Sequence, residues 1–407
     1  MLHGLGPRRE ILDRVGRAAA VRGWRVALVG GAIVDLVAGR PAKDLDLVVE
    51  GDAPTLAADL AASHGGSVLA HQAFRTATWT TADGEPVDLV MARTEHYRAP
   101  AALPAVSPGT LEQDLDRRDF TVLSVAVDLA DGRVLDPSGG LSDLQGRLLR
   151  IKHPRSFHDD PTRAWRAARW SVRLGLALSP ETRAALDDAV RDGMPRVVGL
   201  ERSGNELLRV FREEHPWLAL RGLTTWGWLQ AVHPGFSERS CKAIHRAAVS
   251  SGPAQEHTSG EPVPREPLLW LALARSLDRP DRKALARMVT PGGDALQLWL
   301  EGPERVARGI AAAAAWPDRV ALARGVMDLS PEERAEVWRE TEDVRQASRW
   351  WEQQGRHIRS SVTAADLIAA GHAPGPAIGQ ALRAAQDAAW RGEDDTGQRR
   401  AAGLPPP

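Results

Sequence analysis

The stretch "ALVGGAIVDLVAGRPAKDLDLVVEGDA", residues 27–53, determines how the N-terminal part of the chain folds. Its apolar run into Gly30 and Gly31 predicts a short strand and a tight turn, and "GAIVDLV" predicts a short helix after it. "KDLDLVV" predicts the next strand, with Asp44 and Asp46 one residue apart. Side chains at i and i+2 of a strand point to the same face, so these carboxylates are expected to lie together. Two adjacent carboxylates are costly without a cation between them, so the stretch predicts a metal ion.

The glycine turn and the carboxylates together suit phosphoryl transfer. Backbone N–H groups at Gly30 and Gly31 can approach a phosphate closely, and a following helix start favours an anion. Mg²⁺ prefers a few carboxylates together with substrate phosphates, and Asp44 and Asp46 would supply the carboxylates. Asp88, in the further predicted strand "EPVDLVMAR", is a candidate third carboxylate. Taken singly, each piece is also explained by an ordinary turn or an exposed strand.

Composition narrows the class of protein. The chain has 407 residues, is 43% hydrophobic and 26% charged, and has one cysteine, which excludes an internal disulfide and a cysteine-rich zinc site. No targeting leader and no apolar run of about 18 residues is found, so we expect a cytoplasmic protein with no membrane partner. The net charge of −1 hides a basic segment, residues 147–173, where eight Lys or Arg face only Asp159 and Asp160. Such a segment can bind a polyanion, although a solvated helix face explains it equally well.

The fold class changes along the chain. The first part predicts a mixed α/β arrangement, with "DLADGRVLD" as a hairpin that turns at Asp131 and Gly132. From Asp159 onward helical periodicity replaces the strand signals. "SPEERAEVW" predicts a helix start with Ser330 as N-cap and Glu333 closing a capping box. We therefore expect an α+β N-terminal domain, a mixed sheet with flanking helices, followed by an all-α remainder.

Several of these stretches together resemble a known family. "VGGAIVDLVAGRPAKDLDLVV" resembles the first signature of the class II tRNA nucleotidyltransferase and bacterial poly(A) polymerase family, within the polymerase β-like nucleotidyltransferase superfamily. "RRDFT" at Arg117–Thr121 is similar to its ribose-recognition motif, and "FHDDPTRAWRAARWSVRLG" to its neck motif. "VTAADLIAAGHAPGPAIGQAL", Val362–Leu382, is similar to a tail element associated with tRNA contact. The stretch from about His215 to Arg345 matches no motif.

The neck motif also has a chemical explanation of its own. On a continuous helix Asp159, Asp160 and Arg163 would share one face. A carboxylate only accepts hydrogen bonds and a guanidinium only donates them. Cytosine and adenine both present an amino donor beside a ring-nitrogen acceptor, so an Asp–Arg pair fits C and A and mismatches U and G. A plain surface salt bridge is the alternative.

The resemblance implies a domain order and a set of site residues. The domains are a catalytic head at residues 1–145, a neck for base recognition at 146–215, a helical body at 216–330 and a tail that contacts tRNA at 331–407. Nucleotide binding is expected from Gly30, Gly31, Arg117, Arg118, Asp119, Asp159, Asp160, Arg163, Arg166 and Arg169, and catalysis from Asp44, Asp46 and Asp88. RNA contact is expected at the tail glycines Gly371, Gly375 and Gly379, which equally suit a plain helix–turn–helix joint.

The activity that the resemblance implies is template-independent addition of C, A or both from CTP and ATP to the 3′ end of tRNA, with Mg²⁺ and release of pyrophosphate. A CC-only, A-only or poly(A)-adding enzyme is the alternative within the family, and a catalytically inactive RNA-binding protein is the alternative outside it. Two departures bear on the choice. The family has Arg where this chain has Val34, and Asn where it has Leu123. The oligomeric state stays open.

Overall fold

The computed structural model describes residues 2–42, 44–96, 105–249, 263–289, 292–339 and 344–407. The chain divides into two compact units, the first formed by Met1–Glu206 with Leu218–Pro234 and the second by Leu207–Trp217 with Gly235–Pro407. The first unit holds a mixed sheet and the second is helical throughout its described part. The predicted fold class is therefore confirmed. One small addition is a pair of two-residue parallel strands in the segment expected to be all-α.

The strands of the described chain all lie in the first unit. They are β1 (Val26–Val29), β2 (Asp46–Val49), β3 (Ser67–His71), β4 (Thr76–Thr80), β5 (Pro86–Met91), β6 (Arg93–His96), β7 (Ala105–Pro108), β8 (Ala126–Asp128), β9 (Val134–Leu135), β10 (Leu148–Leu149) and β11 (Ala177–Leu178). Seven of them form one sheet in the order β3-β4-β5-β2-β1-β8-β9. Within it β2 and β5 pair in parallel and the other neighbours are antiparallel.

The helices of the first unit, with those that continue from it, are α1 (Arg8–Val21), α2 (Gly31–Val37), α3 (Ala53–His64), α4 (Leu111–Asp116), α5 (Gly140–Gln145), α6 (Ser156–Asp159), α7 (Arg163–Leu174), α8 (Pro180–Arg191), α9 (Met194–Val197), α10 (Leu200–Phe211), α11 (Pro216–Thr225) and α12 (Trp228–Val232). Those of the second unit are α13 (Glu238–Val249), α14 (Arg265–Arg275), α15 (Arg279–Leu285), α16 (Gly292–Ala314), α17 (Arg319–Val326), α18 (Pro331–Trp338), α19 (Val344–Gln353), α20 (Ala364–Ala369), α21 (Pro376–Arg391) and α22 (Asp395–Ala401). Across the described ranges, none of these helices has the length and apolar character needed to cross a bilayer.

The core of the first unit explains why the sheet forms where it does. Every residue of β1 is buried, as a continuous apolar run in a central strand requires. Helices α1 and α3 contribute apolar side chains to the main cluster, among them Leu12 and Leu56, and α4 contributes to a second cluster with Leu111. The sheet is therefore covered on both faces around β1 and β2, which leaves the ends of these strands as the place where polar groups can gather.

Local signals in the sequence are confirmed at two positions. Strands β8 and β9 form the expected hairpin, and Gly132 adopts the positive φ of +71° that the turn requires. Ser330 caps α18, and its hydroxyl and the Glu333 carboxylate make the reciprocal bonds of a capping box. Both features depend only on residues within a few positions of one another.

Two expectations need correction. Strand β2 begins at Asp46, so Asp44 precedes the strand instead of lying within it. Among the tail glycines, Gly371 (φ +93°) and Gly375 (φ +155°) lie in the connection between α20 and α21, but Gly379 lies inside α21. The helix starts at Pro376, where proline is favoured as a first helical residue, so it already includes Gly379.

Gly140 provides a test of the packing behind the "RRDFT" segment. A methyl group at this position would overlap the carbonyl oxygen of Thr121, which is main chain and cannot turn away. Gly140→Ala is therefore expected to lower the free energy of unfolding by about 2 to 3 kcal/mol in urea titrations. Gly146→Ala is the control, because a methyl there meets its nearest neighbour, the Ser142 carbonyl oxygen, at an ordinary 3.4 Å. The control should stay within about 0.5 kcal/mol of the wild type, and equal stability of both variants would contradict this account.

Candidate active site

Three carboxylates meet at one end of the central strands. Asp46 begins β2, and the parallel register places it opposite Asp88 of β5. Asp44 lies two residues before Asp46, is exposed, and is separated from it by the buried Leu45. Asp88 is also exposed, and its Oδ1 accepts a hydrogen bond of 2.5 Å from Thr78 Oγ1. The structure thus brings together the three aspartates that the sequence suggested.

The electrostatics of Asp46 show how close these charges are. Burial, together with the charges of Asp88 and Asp44, raises the pKa of Asp46 to about 6 from an ordinary 3.8. Arg118 and Arg173 act in the opposite direction and lower it. A half-buried carboxylate with two like charges beside it is disfavoured in its ionised form, and a bound cation would remove the penalty.

The donor set fits a hard cation such as Mg²⁺. In the described ranges no three His, Cys, Asp or Glu side chains are grouped closely enough to hold a metal by themselves. Mg²⁺ does not need such a cage, because it is commonly bound by one or two carboxylates plus substrate phosphates and waters. Asp44 and Asp46 would provide the carboxylates, and a nucleotide would provide the remaining oxygens.

The Gly30–Gly31 turn lies directly beside this cluster. Gly30 has φ +71°, and a Cβ on it would sit 3.4 Å from Asp46 Oδ2 and 3.7 Å from Arg118 Nη1. A Cβ on Gly31 would sit 3.5 Å from the ring of Trp170 on α7. The positive φ and the close neighbours together explain why glycine occupies the first position. The turn therefore places main chain next to both the acidic cluster and a guanidinium.

The "RRDFT" segment is held by a carboxylate that the sequence analysis missed. Asp114 is fully buried and accepts hydrogen bonds from both Arg117 (2.6 Å) and Arg118 (3.0 Å). Arg117 also pairs with Glu95 at 2.9 Å, and Arg118 donates to the Leu123 carbonyl at 3.3 Å. The signal was present, because Asp114 precedes these arginines by three and four residues on α4 and its C-terminal end.

The neck segment contains a helix break where a continuous helix was expected. Helix α6 ends at Asp159, Asp160 is extended (φ −135°, ψ 94°), and α7 begins at Arg163. Pro161 follows Asp160, and a residue before proline is disfavoured in the helical region. The expected helical spacing of Asp159, Asp160 and Arg163 is therefore wrong. Asp159 instead lies near His153, with 3.6 Å between Oδ2 and Nε2.

The neck charges form a network with the "RRDFT" segment. Asp119 pairs with Arg163 at 3.0 Å and with Arg166 at 2.7 Å, across more than 40 residues of chain. Arg166 also reaches Asp160 at 3.1 Å, and Arg202 of α10 reaches the other oxygen of Asp160 at 3.3 Å. Among the described residues, Asp160 therefore forms its ion pairs with Arg166 and Arg202, whereas the sequence analysis had paired it with Arg163.

Ion pairing, and not burial, sets the charge state of this network. Burial disfavours the ionised form of Asp160, but Arg166, the bonds from Thr162 and Arg163 outweigh it and keep the pKa of Asp160 below its usual value. Burial likewise opposes the charge of Arg166, and the carboxylates of Asp119 and Asp160 outweigh it, so the pKa of Arg166 is raised. The Arg163 side chain is only 3% exposed. The network is thus ionised and largely withdrawn from water.

Asp160 keeps capacity to accept one further hydrogen bond. Its Oδ1 accepts from the Thr162 N–H (3.1 Å), the Thr162 hydroxyl (2.6 Å) and Arg202, whereas Oδ2 accepts only from Arg166 among the described contacts. A carboxylate oxygen has about two acceptor positions. The amino group of a base could therefore be received at Oδ2.

Helix α7 carries the remaining basic residues that the sequence suggested. Arg163, Arg166, Arg169 and Arg173 follow one another at three- and four-residue intervals, so they lie along one side of the helix. Arg173 stacks on Trp170, with 5.2 Å from its guanidinium carbon to the ring centroid. Arg173 and Arg202 were not expected as site residues, and only the fold brings them to Asp46 and Asp160.

The two departures from the family pattern are both buried. Val34 is 1% exposed within α2, and Leu123 is 8% exposed in the turn after the "RRDFT" motif. The aspartate next to Val34, Asp35, pairs with Arg40 at 2.9 Å. Because Val34 stands where the family pattern has Arg, α2 lacks that positive charge. Arg118 and Arg173 supply positive charge around Asp46.

Comparison with known proteins places this site in context. Residues 26–150 match the family described as the poly A polymerase head domain. The chain is 36% identical over 267 residues to an A-adding tRNA nucleotidyltransferase of Halalkalibacterium halodurans, covering 62% of this chain and 59% of that protein. It is 43% identical over 207 residues to a CC-adding tRNA nucleotidyltransferase of Deinococcus radiodurans, covering 50% of this chain and 54% of that protein. The chain thus spans little more than half the length of either relative.

The fold of the whole chain also has a solved counterpart. The apo form II structure of a CCA-adding enzyme superposes with a TM-score of 0.81 at 22% identity, covering 96% of this chain and 94% of that one. At this identity the likeness shows the fold alone. The family match at residues 26–150 includes the acidic cluster, and the structural similarity extends over nearly the whole chain.

Proposed function

We propose that the chain belongs to the class II tRNA nucleotidyltransferase and poly(A) polymerase family and that it adds C, A or both to the 3′ end of tRNA, a proposal supported by the match of residues 26–150 and by the sequence relatives. The observation that carries this proposal is the cluster of Asp44, Asp46 and Asp88 beside the Gly30 turn and Arg118. CTP and ATP are the nucleotide substrates, and pyrophosphate is the leaving group. The work is done in the cytoplasm, where tRNA ends are made and repaired.

We assign one role to each of the segments expected from the sequence. We assign catalysis to a head at residues 1–145, base selection to a neck at 146–215, and support of the tRNA to a body at 216–330 and a tail at 331–407. Gly371 and Gly375 lie in a tail turn whose backbone N–H groups suit an RNA phosphate. Gly379, inside α21, is left out of that contact.

Asp44 and Asp46 are the residues that would hold Mg²⁺ in the head. A bound Mg²⁺ lowers the pKa of the attacking 3′-hydroxyl and neutralises charge on the phosphates. The chain's own contribution is to hold the triphosphate in line with that hydroxyl. Gly30 leaves room for the phosphates close to the main chain, and Arg118 and Arg173 place positive charge where negative charge develops.

Base selection is assigned to the neck network. The Oδ2 atom of Asp160 would accept the amino group that cytosine and adenine share, and Arg163 or Arg166 would donate to the neighbouring ring nitrogen. Uracil and guanine would place a carbonyl against the carboxylate, which repels it. Asp119 keeps both arginines in place, with Arg163 at 3.0 Å and Arg166 at 2.7 Å. Protein side chains would in this way replace a template strand.

The experiment that tests this function measures incorporation of each of the four labelled nucleotides, with Mg²⁺, onto tRNA transcripts that end before CCA, after C and after CC. Incorporation of C and A alone is the expected result. The transcripts that are extended identify the sub-activity, because A-only addition needs the CC end and CC-only addition stops there. Extension of generic RNA with A alone would identify a poly(A)-adding enzyme.

The Asp44→Ala, Asp46→Ala double variant is the control and should incorporate nothing. If the wild-type protein binds tRNA but incorporates no nucleotide, the enzyme proposal is wrong and the chain is an RNA-binding protein. In that case Val34 and Leu123 are the first positions to restore, to Arg and Asn respectively. If U or G is incorporated as well as C and A, the role given to Asp160 fails while the catalytic role of the head stands.

A further inference from the structure

Helix α10 brings two opposite charges to the neck network, and neither was among the site residues expected from the sequence. Arg202 and Glu206 are four residues apart on α10, so their side chains leave the helix on the same side. Arg202 Nη2 lies 3.3 Å from Asp160 Oδ1. Burial lowers the pKa of Arg166, and Glu206, which is 4% exposed, is one of the carboxylates that raise it. The helix thus presents a cation to the carboxylate of the network and a carboxylate to one of its cations.

The two oxygens of Asp160 are held by different parts of the chain. Oδ1 accepts hydrogen bonds from the Thr162 N–H at 3.1 Å, from the Thr162 hydroxyl at 2.6 Å and from Arg202 at 3.3 Å. Oδ2 accepts from Arg166 of α7 at 3.1 Å. Thr162 is two residues from Asp160, whereas Arg202 is 42 residues further along the chain. The two guanidiniums therefore tie the carboxylate to α7 and to α10, one at each oxygen.

Two anchors on different helices fix the plane of this carboxylate. The last torsion of an aspartate side chain is broad, so local contacts alone allow the carboxylate group to turn. Arg166 is not a fixed point by itself, because Asp119 binds it at 2.7 Å and competes for it. Arg202 supplies the second point, at the oxygen that Arg166 does not touch. With Oδ1 occupied by three donors, Oδ2 is the oxygen that keeps an acceptor position for a base.

An ion pair that serves only stability is the other explanation of the contact between Arg202 and Asp160. The Arg202 side chain is 35% exposed and that of Asp160 is 12% exposed. A pair with one partly exposed partner contributes little to stability, and Asp160 keeps Arg166 when Arg202 is removed. A variant of Arg202 is therefore expected to fold, and its effect on the orientation of Asp160 can be measured separately from its effect on the fold.

We propose that Arg202 is a positioning residue for base selection, which holds the Asp160 carboxylate so that Oδ2 receives the amino group shared by cytosine and adenine. The inference rests on the proposed function, because it takes Asp160 as the acceptor of the base. Arg202 contacts no part of the nucleotide and acts only through Asp160. A carboxylate that turns away loses both the bond to the amino group and the repulsion of the carbonyl that uracil presents there. Arg202 therefore contributes to discrimination between bases more than to the rate of phosphoryl transfer.

The first test compares Arg202→Gln with Arg202→Lys and with the control Arg191→Gln. Arg191 lies on α8, is 71% exposed and pairs with Asp188 three residues away. Initial rates of C, A, U and G incorporation are measured over a range of nucleotide concentrations, on the transcript that the wild type extends. Arg202→Gln should lower the ratio of kcat/KM for C or A to that for U about 10-fold or more, with the KM for tRNA unchanged. Arg202→Lys keeps the charge and should retain part of the ratio, while Arg191→Gln should match the wild type.

The second test asks whether Arg202 acts through Asp160. Asp160→Asn removes the charged acceptor and should by itself lower the ratio of C or A incorporation to U incorporation. Adding Arg202→Gln to Asp160→Asn should change that ratio no further, because the group that Arg202 holds is already altered. An effect of Arg202→Gln that is equally large with and without Asp160→Asn would overturn the inference. So would an equal loss for all four nucleotides, which is the result expected of an ion pair that serves only stability.

Nucleotide binding without incorporation separates this inference from the proposed function. Equilibrium dialysis of CTP, ATP, UTP and GTP gives the preference of the wild type and of Arg202→Gln for C and A. If the wild type incorporates C and A and the variant keeps the full preference, the inference is wrong and the proposed function stands. If the wild type binds CTP and ATP preferentially but incorporates nothing, the enzyme proposal fails, and a preference that falls in Arg202→Gln supports the positioning role. If the wild type shows no preference among the four, Asp160 does not select the base and the inference fails with it.

Discussion

Asp46→Asn is expected to lower nucleotide incorporation at least about 10³-fold and at the same time to stabilise the protein. The loss of activity follows from removal of a charged oxygen ligand at the point where phosphate charge must be neutralised. The gain in stability follows from the cluster itself. Burial, Asp88 and Asp44 raise the pKa of Asp46 to about 6, so its ionised form is disfavoured in the folded protein. Asparagine has nearly the same shape and no charge to bury.

The stability that Asp46→Asn gains over the wild type is expected to depend on pH. Because the folded pKa of Asp46 lies above its ordinary 3.8, Asp46 contributes most favourably below about pH 4, and that contribution is lost as the pH rises through about 6. In EDTA at pH 8, Asp46→Asn should therefore unfold at a higher urea concentration than the wild type. Its free energy of unfolding should be larger by on the order of 1 to 2 kcal/mol. The difference should largely disappear below about pH 3, where the wild-type carboxyl is protonated in both the folded and the unfolded protein.

Asp83→Asn is the matched control, because Asp83 is an exposed aspartate of the same unit in the turn between β4 and β5. It should change neither incorporation nor stability. Adding Mg²⁺ should raise the stability of the wild type more than that of Asp46→Asn, since only the wild type keeps both ligands. A variant that is less stable than the wild type at pH 8 without metal would contradict the account of a strained acidic cluster.

Asp119→Ala is expected to destabilise the first unit by about 3 kcal/mol or more in urea titrations. Asp119 is the shared partner of Arg163 and Arg166, and the Arg163 side chain is 3% exposed. Removing one partner of a buried ion pair is costly because the other charge stays buried without compensation. The Asp119→Asn variant keeps the shape and one acceptor, so its loss should be smaller.

An exposed pair in the same unit provides the comparison. Asp187 pairs with Arg183 at 2.9 Å, and both side chains are more than 40% exposed. Asp187→Ala should cost less than about 0.5 kcal/mol, as surface pairs do. Asp119→Asn, which is expected to remain folded, should raise the KM for CTP and ATP more than the KM for tRNA. A loss for Asp119→Ala no larger than that for Asp187→Ala would contradict the network described here.

These predictions separate what is structural from what is catalytic in one site. Asp46 is costly to the fold and essential to the proposed chemistry, a combination that is common where function requires like charges to be held together. Asp119 stabilises the fold and also holds in position the two arginines that would bind the base. The two variants should therefore move stability in opposite directions while both reduce activity.

The sequence by itself determined the features that depend on neighbouring residues. The apolar run into Gly30, the strand that contains Asp46, the β8–β9 hairpin and the Ser330 capping box follow from alternation, turn chemistry and capping, which act over a few positions. It also indicated which chemical groups the site would contain, because carboxylates beside a glycine turn and a basic helix suit few reactions other than phosphoryl transfer.

Only the tertiary structure decided which of those groups are partners. Pro161 interrupts the helix that would have joined Asp160 to Arg163, and the chain then brings Arg166 and Arg202 to Asp160 instead. Arg163 pairs with Asp119, which lies 44 positions earlier in the chain. No local pattern encodes such contacts, because their energy comes from burying charges that only the packed fold brings together.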